Sequence, residues 1–315
     1  MAPLISLCFP LPEPRTRALG AAGPLPVIIG MQEPQGLPAL PATHASRESE
    51  AIVRQVDHVL VAIPDDGRNL VSLLTERLAL PIVWPQPGSE WKASTGISLG
   101  NVNLEIFHRE PPPPGQPPRI PRITSLALQP TNLKIALNEL RLRGITHDPP
   151  PEPKSGPARE PLPRWTTVGL RGFGHGLFLI QYAFDMDERR LRFDRVLREG
   201  QGGPLGVVRV REVVIAPDPL GDVRAQWTKL LGPAETGEAD LWVVGEGPRI
   251  RLVSGGDPRT GNIVVEVQSL KRAARALRRL GISAEATRRQ IRIDPEVMSG
   301  LRLMLVEQQR PLRPR

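Results

Sequence analysis

The sequence predicts an α+β chain of four βαβββ modules. They pair into two domains whose curved mixed sheets each surround a cavity. Three observations carry this reading. A β-branched run, a Pro-Asp break and a helix-period stretch fill residues 59–81 ("VLVAIPDDGRNLVSLLTERLALP"), and the order returns in residues 213–233 ("VVIAPDPLGDVRAQWTKLLGP"). A second strand-to-helix segment, residues 125–145, is echoed by residues 264–282. Of the 37 prolines, 23 cluster at 2–41, 111–121 and 149–163, outside these segments, where neither helix nor ladder needs a backbone donor.

In the first module the strand "VDHVLVAIPD" is broken by proline, and Leu70, Leu73, Leu74 and Leu78 then recur three and four apart. That spacing predicts a helix with one apolar stripe. "STGISLGNVNLEIF" supplies two more strands. The second module runs from strand into a helix ending at Gly144, placed for a left-handed C-terminal cap, and closes with "WTTVGLRGFGHGLFLIQYAF". "REGQGGPLG" links the halves. Val223, Trp227, Leu230 and Leu231 repeat the stripe in the third module, before "ADLWVVGEGPRIRLVSG". The fourth has a helix ending at Gly281, then "QIRIDPEVMSGLRLMLVE". One module alone leaves a sheet edge and a concave face bare, and pairing covers both. The expected layout is a disordered proline-rich tail at 1–50, paired modules at 51–200 with proline-rich loops at 109–121 and 147–164, a second pair at 205–310, and a tail at 311–315.

Composition narrows the function classes. Cys8 is the only cysteine, so a disulfide framework, a thiolate metal cluster and a CxxC redox pair are excluded within one chain. The N-terminus lacks the basic, then apolar, pattern of a secretion signal, and no apolar run approaches the roughly 20 residues that span a bilayer. A cytoplasmic protein is expected, monomeric or homodimeric and without a membrane partner. The net charge is +8, but the arginines are scattered, and the dense run at 271–279 reads as a solvated helix face. Aromatic residues are 4% of the chain and form no stacking ladder with the basic ones, which disfavours a nucleic-acid partner. No GxSxG elbow, P-loop, HExxH motif, EF-hand loop or catalytic Cys-His pair occurs.

The repeated strand–helix–strands unit, "VDHVLVAIPD" as a first strand and "STGISLGNVNLEIF" as a third and fourth, resembles the vicinal oxygen chelate superfamily. That superfamily includes glyoxalase I, extradiol dioxygenases and bleomycin-resistance proteins. The resemblance covers most of residues 52–308 and is closest in the first and third modules. It implies a divalent metal in the cavity (Zn, Mn, Fe or Ni), held from the first and last strands of the modules and binding adjacent substrate oxygens. Strand parity turns Val59, Val61 and Ile63 towards the helix, and His58, Leu60 and Ala62 towards the cavity. It likewise turns Asn103, Glu105 and Phe107 inward, which puts Glu105 at the family's glutamate position. Aligning Pro64 with Pro130 puts Thr124 opposite His58, and Gln181 takes the place of Glu105 in the second module. The implied ligand set is His58, Glu105 and Gln181.

His175, between glycines, is a further candidate acid or base beside Glu105. Trp84, Trp91, Trp165, Arg164 and Thr124 are candidate substrate contacts at the cavity rim. In the second half Glu212 stands where His58 does and Arg251 where Glu105 does, which predicts a salt bridge in place of a metal site. Two functions follow from one cavity: a metal-dependent lyase, isomerase or dioxygenase acting on a small molecule, or a metal-free binding protein of the resistance type. A third, a basic nucleic-acid-associated protein, uses the arginines instead.

Overall fold

Strand-period and helix-period stretches assemble into two seven-stranded mixed sheets. The structure is a computed structural model and describes residues 51–63, 67–84, 94–107, 122–151, 165–217, 220–238, 240–254 and 262–309. The first module comprises β1 (Val53–Ala62), α1 (Arg68–Ser72, continuing as a π-helical turn over Leu73–Arg77), β2 (Ile82–Trp84), β3 (Ser94–Ser98) and β4 (Asn103–Phe107). The second comprises β5 (Arg122–Pro130), α2 (Leu133–Leu142), β6 (Trp165–Leu170) and β7 (Gly176–Tyr182), and α3 (Met186–Glu199) follows it. The third comprises β8 (Val207–Ile215), α4 (Leu220–Leu231), β9 (Leu241–Trp242) and β10 (Arg249–Leu252). The fourth comprises β11 (Asn262–Val267), α5 (Leu270–Arg279), β12 (Ala284–Ala286), β13 (Gln290–Ile293) and β14 (Arg302–Glu307).

In every module the first and last strands are parallel neighbours: β1 with β4, β5 with β7, β8 with β10 and β11 with β14. Paired modules meet through their first strands, β1 antiparallel to β5 and β8 antiparallel to β11. Each pair is therefore one continuous mixed sheet, in the orders β2-β3-β4-β1-β5-β7-β6 and β12-β13-β14-β11-β8-β10-β9. The second and third modules have two strands after the helix among the described residues, where βαβββ predicts three. An isolated bridge between His147 and Leu170 lies where the second module's missing strand would run. His147 is half-buried there.

The helix stripes behave as their spacing predicts. Leu70, Leu73, Leu74 and Leu78 are buried in one core with Val59, Val61 and Ile63, and that core continues through Trp227, Trp242 and Ile263 in the other half. Asn132 and Ser269 cap α2 and α5 by accepting from Ile135 N and Arg272 N. Gly144 (φ 65°) and Gly281 (φ 63°) supply the left-handed ends. No described helix is long and apolar enough to cross a membrane.

The halves interlock by reciprocal turns. The β3–β4 turn lies on β8, where the Asn101 side-chain amide donates to Val210 O (3.0 Å) and Val210 N donates to Asn101 Oδ1 (2.9 Å). The β9–β10 turn lies on β1, so close that a Cβ on Gly245 (φ +56°) would sit 2.1 Å from the Arg54 carbonyl oxygen. α3 leaves β7 capped by Asp185 and crosses towards the far side of the first sheet, where Arg189 donates to Val83 O (2.8 Å).

Candidate functional site

The concave face of the first sheet takes its chemistry from an irregularity in β1. Val56 pairs with Leu128 and His58 with Ala127, so Asp57 is the extra residue of a β-bulge. Neighbours in a regular strand point to opposite faces, but the bulge brings the side chains of Asp57 and His58 together. His58 Nδ1 lies 2.7 Å from Asp57 Oδ2, and Nε2 lies 3.1 Å from Glu105 Oε2 on β4. All three residues are buried.

Every polar atom of this group has a partner. The Tyr182 hydroxyl donates to Asp57 Oδ2 (2.8 Å), and Arg190 of α3 donates to Asp57 Oδ1 (3.1 Å) and Gln129 Oε1 (3.3 Å). Gln55 Nε2 also donates to Gln129 Oε1 (2.6 Å). Ser94 Oγ donates to Glu105 Oε1 (2.5 Å) and accepts from Trp84 Nε1 (3.1 Å). Two carboxylates thus face one imidazolium and one guanidinium, the balance a dry site requires. Around this floor stand aromatic edges, with the rings of Trp84 and Phe178 each 5.8 Å from His58. The Trp84 indole lies over Gly96, where a Cβ would be 2.3 Å from it. Leu60, Ala127 and Ile180 form a small apolar cluster against half-buried Phe107, Phe178 and Tyr182.

Electrostatics follow from the geometry. Burial alone would lower the His58 pKa, but the hydrogen bonds and charges of Asp57 and Glu105 outweigh it and raise it to about 9. Burial would raise Asp57, yet His58, Arg190 and Tyr182 together hold its carboxyl below the usual range. Burial and the Asp57 charge push the Tyr182 phenol well up.

The structure brings together His58, Glu105 and Trp84 and separates the other predicted residues from them. Gln181 is on the opposite face of β7, because Phe178, Ile180 and Tyr182 take the concave side. It borders a groove of about 660 Å³ with Asn132, Leu133 and Arg141 of the α2 region. Thr124 is half-buried and donates to Leu60 O (3.3 Å), and the residue directly across from His58 is Ala127. His175 is away from the concave face: its ring stacks on Trp227 of α4 (5.7 Å, 11°), and Nδ1 donates to Phe173 O (2.9 Å). Its Nε2 is shielded from solvent, and burial lowers its pKa to about 4. Trp165, 41% exposed on the edge strand β6, pairs with Tyr182. Trp91, Arg164 and most of both proline-rich loops lie outside the described residues. Asp57, Tyr182 and Arg190 were not foreseen; the signal for Asp57 was the adjacent "DH" at a strand start.

A catalytic divalent metal ordinarily takes three protein ligands. His58 Nε2 and Glu105 supply two, Asp57 lies behind Nδ1 on the far side of the ring, and the places opposite are held by Ala127 and Ile180. Among the described residues no group of three His, Cys, Asp or Glu is placed to hold a metal. The described donor set does not fit a three-ligand centre.

The second sheet carries the same device with its charges inverted. β8 bulges at Arg211, between the Val210–Val265 and Glu212–Val264 pairs. Glu212 bonds to Arg251 (2.8 Å), the predicted salt bridge, and lies 3.7 Å from Arg211. Arg251 also reaches Glu238 (3.0 Å).

The two histidines give stability opposite pH dependences. The folded chain holds the His58 proton more tightly than the unfolded one, so this stabilisation is complete below pH 6.5 and is lost as pH rises through about 9. For His175 the unfolded chain binds the proton first, so stability is lost as pH falls from 6.5 to about 4. Each span corresponds to roughly 3 kcal/mol. Urea midpoints across pH should show His58→Gln flattening the alkaline decline and His175→Phe the acid one. A variant that leaves its own limb unchanged would refute its assignment.

No family model matches the chain, and no curated protein matches it. Solved structures do. Homoprotocatechuate 2,3-dioxygenase from Arthrobacter globiformis is 14% identical with a TM-score of 0.54, the match covering 82% of this chain and 80% of that one. The 2,3-dioxygenase LapB from Pseudomonas sp. KL28 is 12% identical with a TM-score of 0.54, covering 84% and 95%. A variant of the Brevibacterium fuscum homoprotocatechuate 2,3-dioxygenase is 11% identical with a TM-score of 0.53, covering 83% and 73%. The fold is therefore that of the extradiol dioxygenases, as the resemblance to the vicinal oxygen chelate superfamily implies.

Proposed function

We propose that the chain binds a small ring compound with adjacent oxygens on the concave face of the first sheet, without a catalytic metal. The observation that carries this is the state of His58. Both of its nitrogens are engaged by buried carboxylates, and Ala127 faces it where a third ligand would be needed. The half-buried edges of Phe107, Phe178, Tyr182 and Trp84 suit a flat apolar ring, and the Glu105 carboxylate, with lone pairs beyond those used by His58 and Ser94, can accept from its hydroxyls. The dioxygenase names of the similar structures suggest a catechol-like compound as the first probe.

One observation favours the second reading, a metal-dependent dioxygenase. Asp57 on Nδ1 orients His58 as carboxylates orient metal-bound histidines, with Nε2 directed at Glu105. One experiment separates the two. Elemental analysis of protein purified without chelator, followed by catechol titration read from tryptophan fluorescence, should show no stoichiometric metal and saturable quenching. That quenching should survive EDTA and vanish in Trp84→Phe. Stoichiometric metal lost in both His58→Ala and Glu105→Ala would overturn the metal-free reading, and absence of saturable quenching would overturn the binding reading.

A further inference from the structure

We infer that the outer face of α5 is a docking surface for the phosphate backbone of a nucleic acid. The helix reads Leu-Lys-Arg-Ala-Ala-Arg-Ala-Leu-Arg-Arg, without an acidic residue in its ten positions. Leu270, Ala273, Ala276 and Leu277 face the core, and Lys271, Arg275, Arg278 and Arg279 are exposed. Most arginines elsewhere on the second half sit beside a carboxylate, as Arg209 does with Glu266, Arg224 with Asp240 and Arg251 with Glu212. The side chains of those four have no ion-pair or hydrogen-bond partner among the described residues. Arg272 differs, being spent on Gly203 O (2.6 Å) and Gln201 O (3.1 Å) at the end of α3.

Helix physics accounts for half of this pattern. Arg278 and Arg279 in the last turn complement the helix dipole, but Lys271 stands in the first turn, where a cation is unfavourable. Lys271–Arg275 and Arg275–Arg279 are like-charge pairs at i, i+4, which weaken a helix. Nor does the fold require the face to be basic. At the equivalent place in the second module, α2 exposes Lys134, Ile135, Asn138, Arg141 and Leu142. Charge complementarity points to a polyanion. The exposed positions of α5 hold no apolar side chain to insert between lipids, which separates this face from a membrane-surface helix. From Lys271 to Arg279 the stripe runs about 12 Å along the axis, long enough to follow several phosphates of one strand.

The test is fluorescence anisotropy of the full chain with a labelled 20-base-pair DNA duplex of arbitrary sequence, at increasing NaCl. Four phosphate contacts predict a log-log slope about 3.6 steeper than without them, or roughly a 100-fold loss of affinity between 50 and 200 mM salt. Replacing Lys271, Arg275, Arg278 and Arg279 together by Gln keeps helix propensity, checked by circular dichroism. It should remove that part of the slope, whereas Lys134→Gln with Arg141→Gln on α2 should not. Arg275→Gln alone should lower the slope by about 0.9 and provides the reading if the fourfold variant does not fold. No duplex binding at low salt, an unchanged slope in the α5 variants, or tighter binding to phosphatidylserine vesicles than to duplex would overturn the inference.

Discussion

Replacing Asp57 by Ala should cost the protein about 3–5 kcal/mol of stability, the range for breaking a buried ion pair from one side. The carboxylate accepts from His58, Tyr182 and Arg190 at once, so the substitution takes a buried partner from two cationic groups and a phenol together, leaving His58 only Glu105. The urea midpoint should fall with little change in slope. Arg190→Met should cost less, because that guanidinium is 16% exposed and Asp57 would keep His58. A loss under about 1 kcal/mol for Asp57→Ala would mean that the network does not exist as described.

The second large effect is expected at the seam between the halves. Gly245→Val adds a branched side chain where even a Cβ would be 2.1 Å from the Arg54 carbonyl oxygen, and backbone cannot rotate away as a side chain does. A loss of about 3 kcal/mol is expected from overpacking together with the left-handed backbone. Gly281→Ala is the control. Its φ of +63° is similar, but nothing lies within 4 Å of an added Cβ, so about 1 kcal/mol of conformational strain is all it should show. Thermal unfolding of the two variants separates contact from conformation. Equal losses would mean that the turn does not bear on β1.

The fold was legible in the sequence because burial imposes periods on it. Leu70, Leu73, Leu74 and Leu78 had to fall on one helix face, and Gly144 and Gly281 had to end their helices in left-handed backbone. The site was legible only as far as strand parity held. Parity brought His58 and Glu105 together, since β1 and β4 run in register from His58–Asn103 to Val61–Ile106. It failed at Asp57, which the bulge turns to the face that alternation denies it, and at Gln181, placed by analogy with a strand one register away. Arg190 could not be read at all. Its contact joins residues 133 positions apart through a helix whose path across the sheet no local pattern encodes.

The reciprocal turns have a kinetic consequence. A hinge between the halves would have to lift the Asn101 amide off β8 and the Gly245 turn off β1 in one motion, while opening the shared apolar core. Domain closure is thus not available as a gate. Among the described residues α3 is fastened to the first sheet by the bonds of Arg189 and Arg190, and it buries only Met186 and Leu197 of its fourteen residues, so it is an element that can release locally. On the binding function proposed above, ligand exchange is expected to keep time with the opening of α3, and amide hydrogen exchange along Met186–Glu199 should track it.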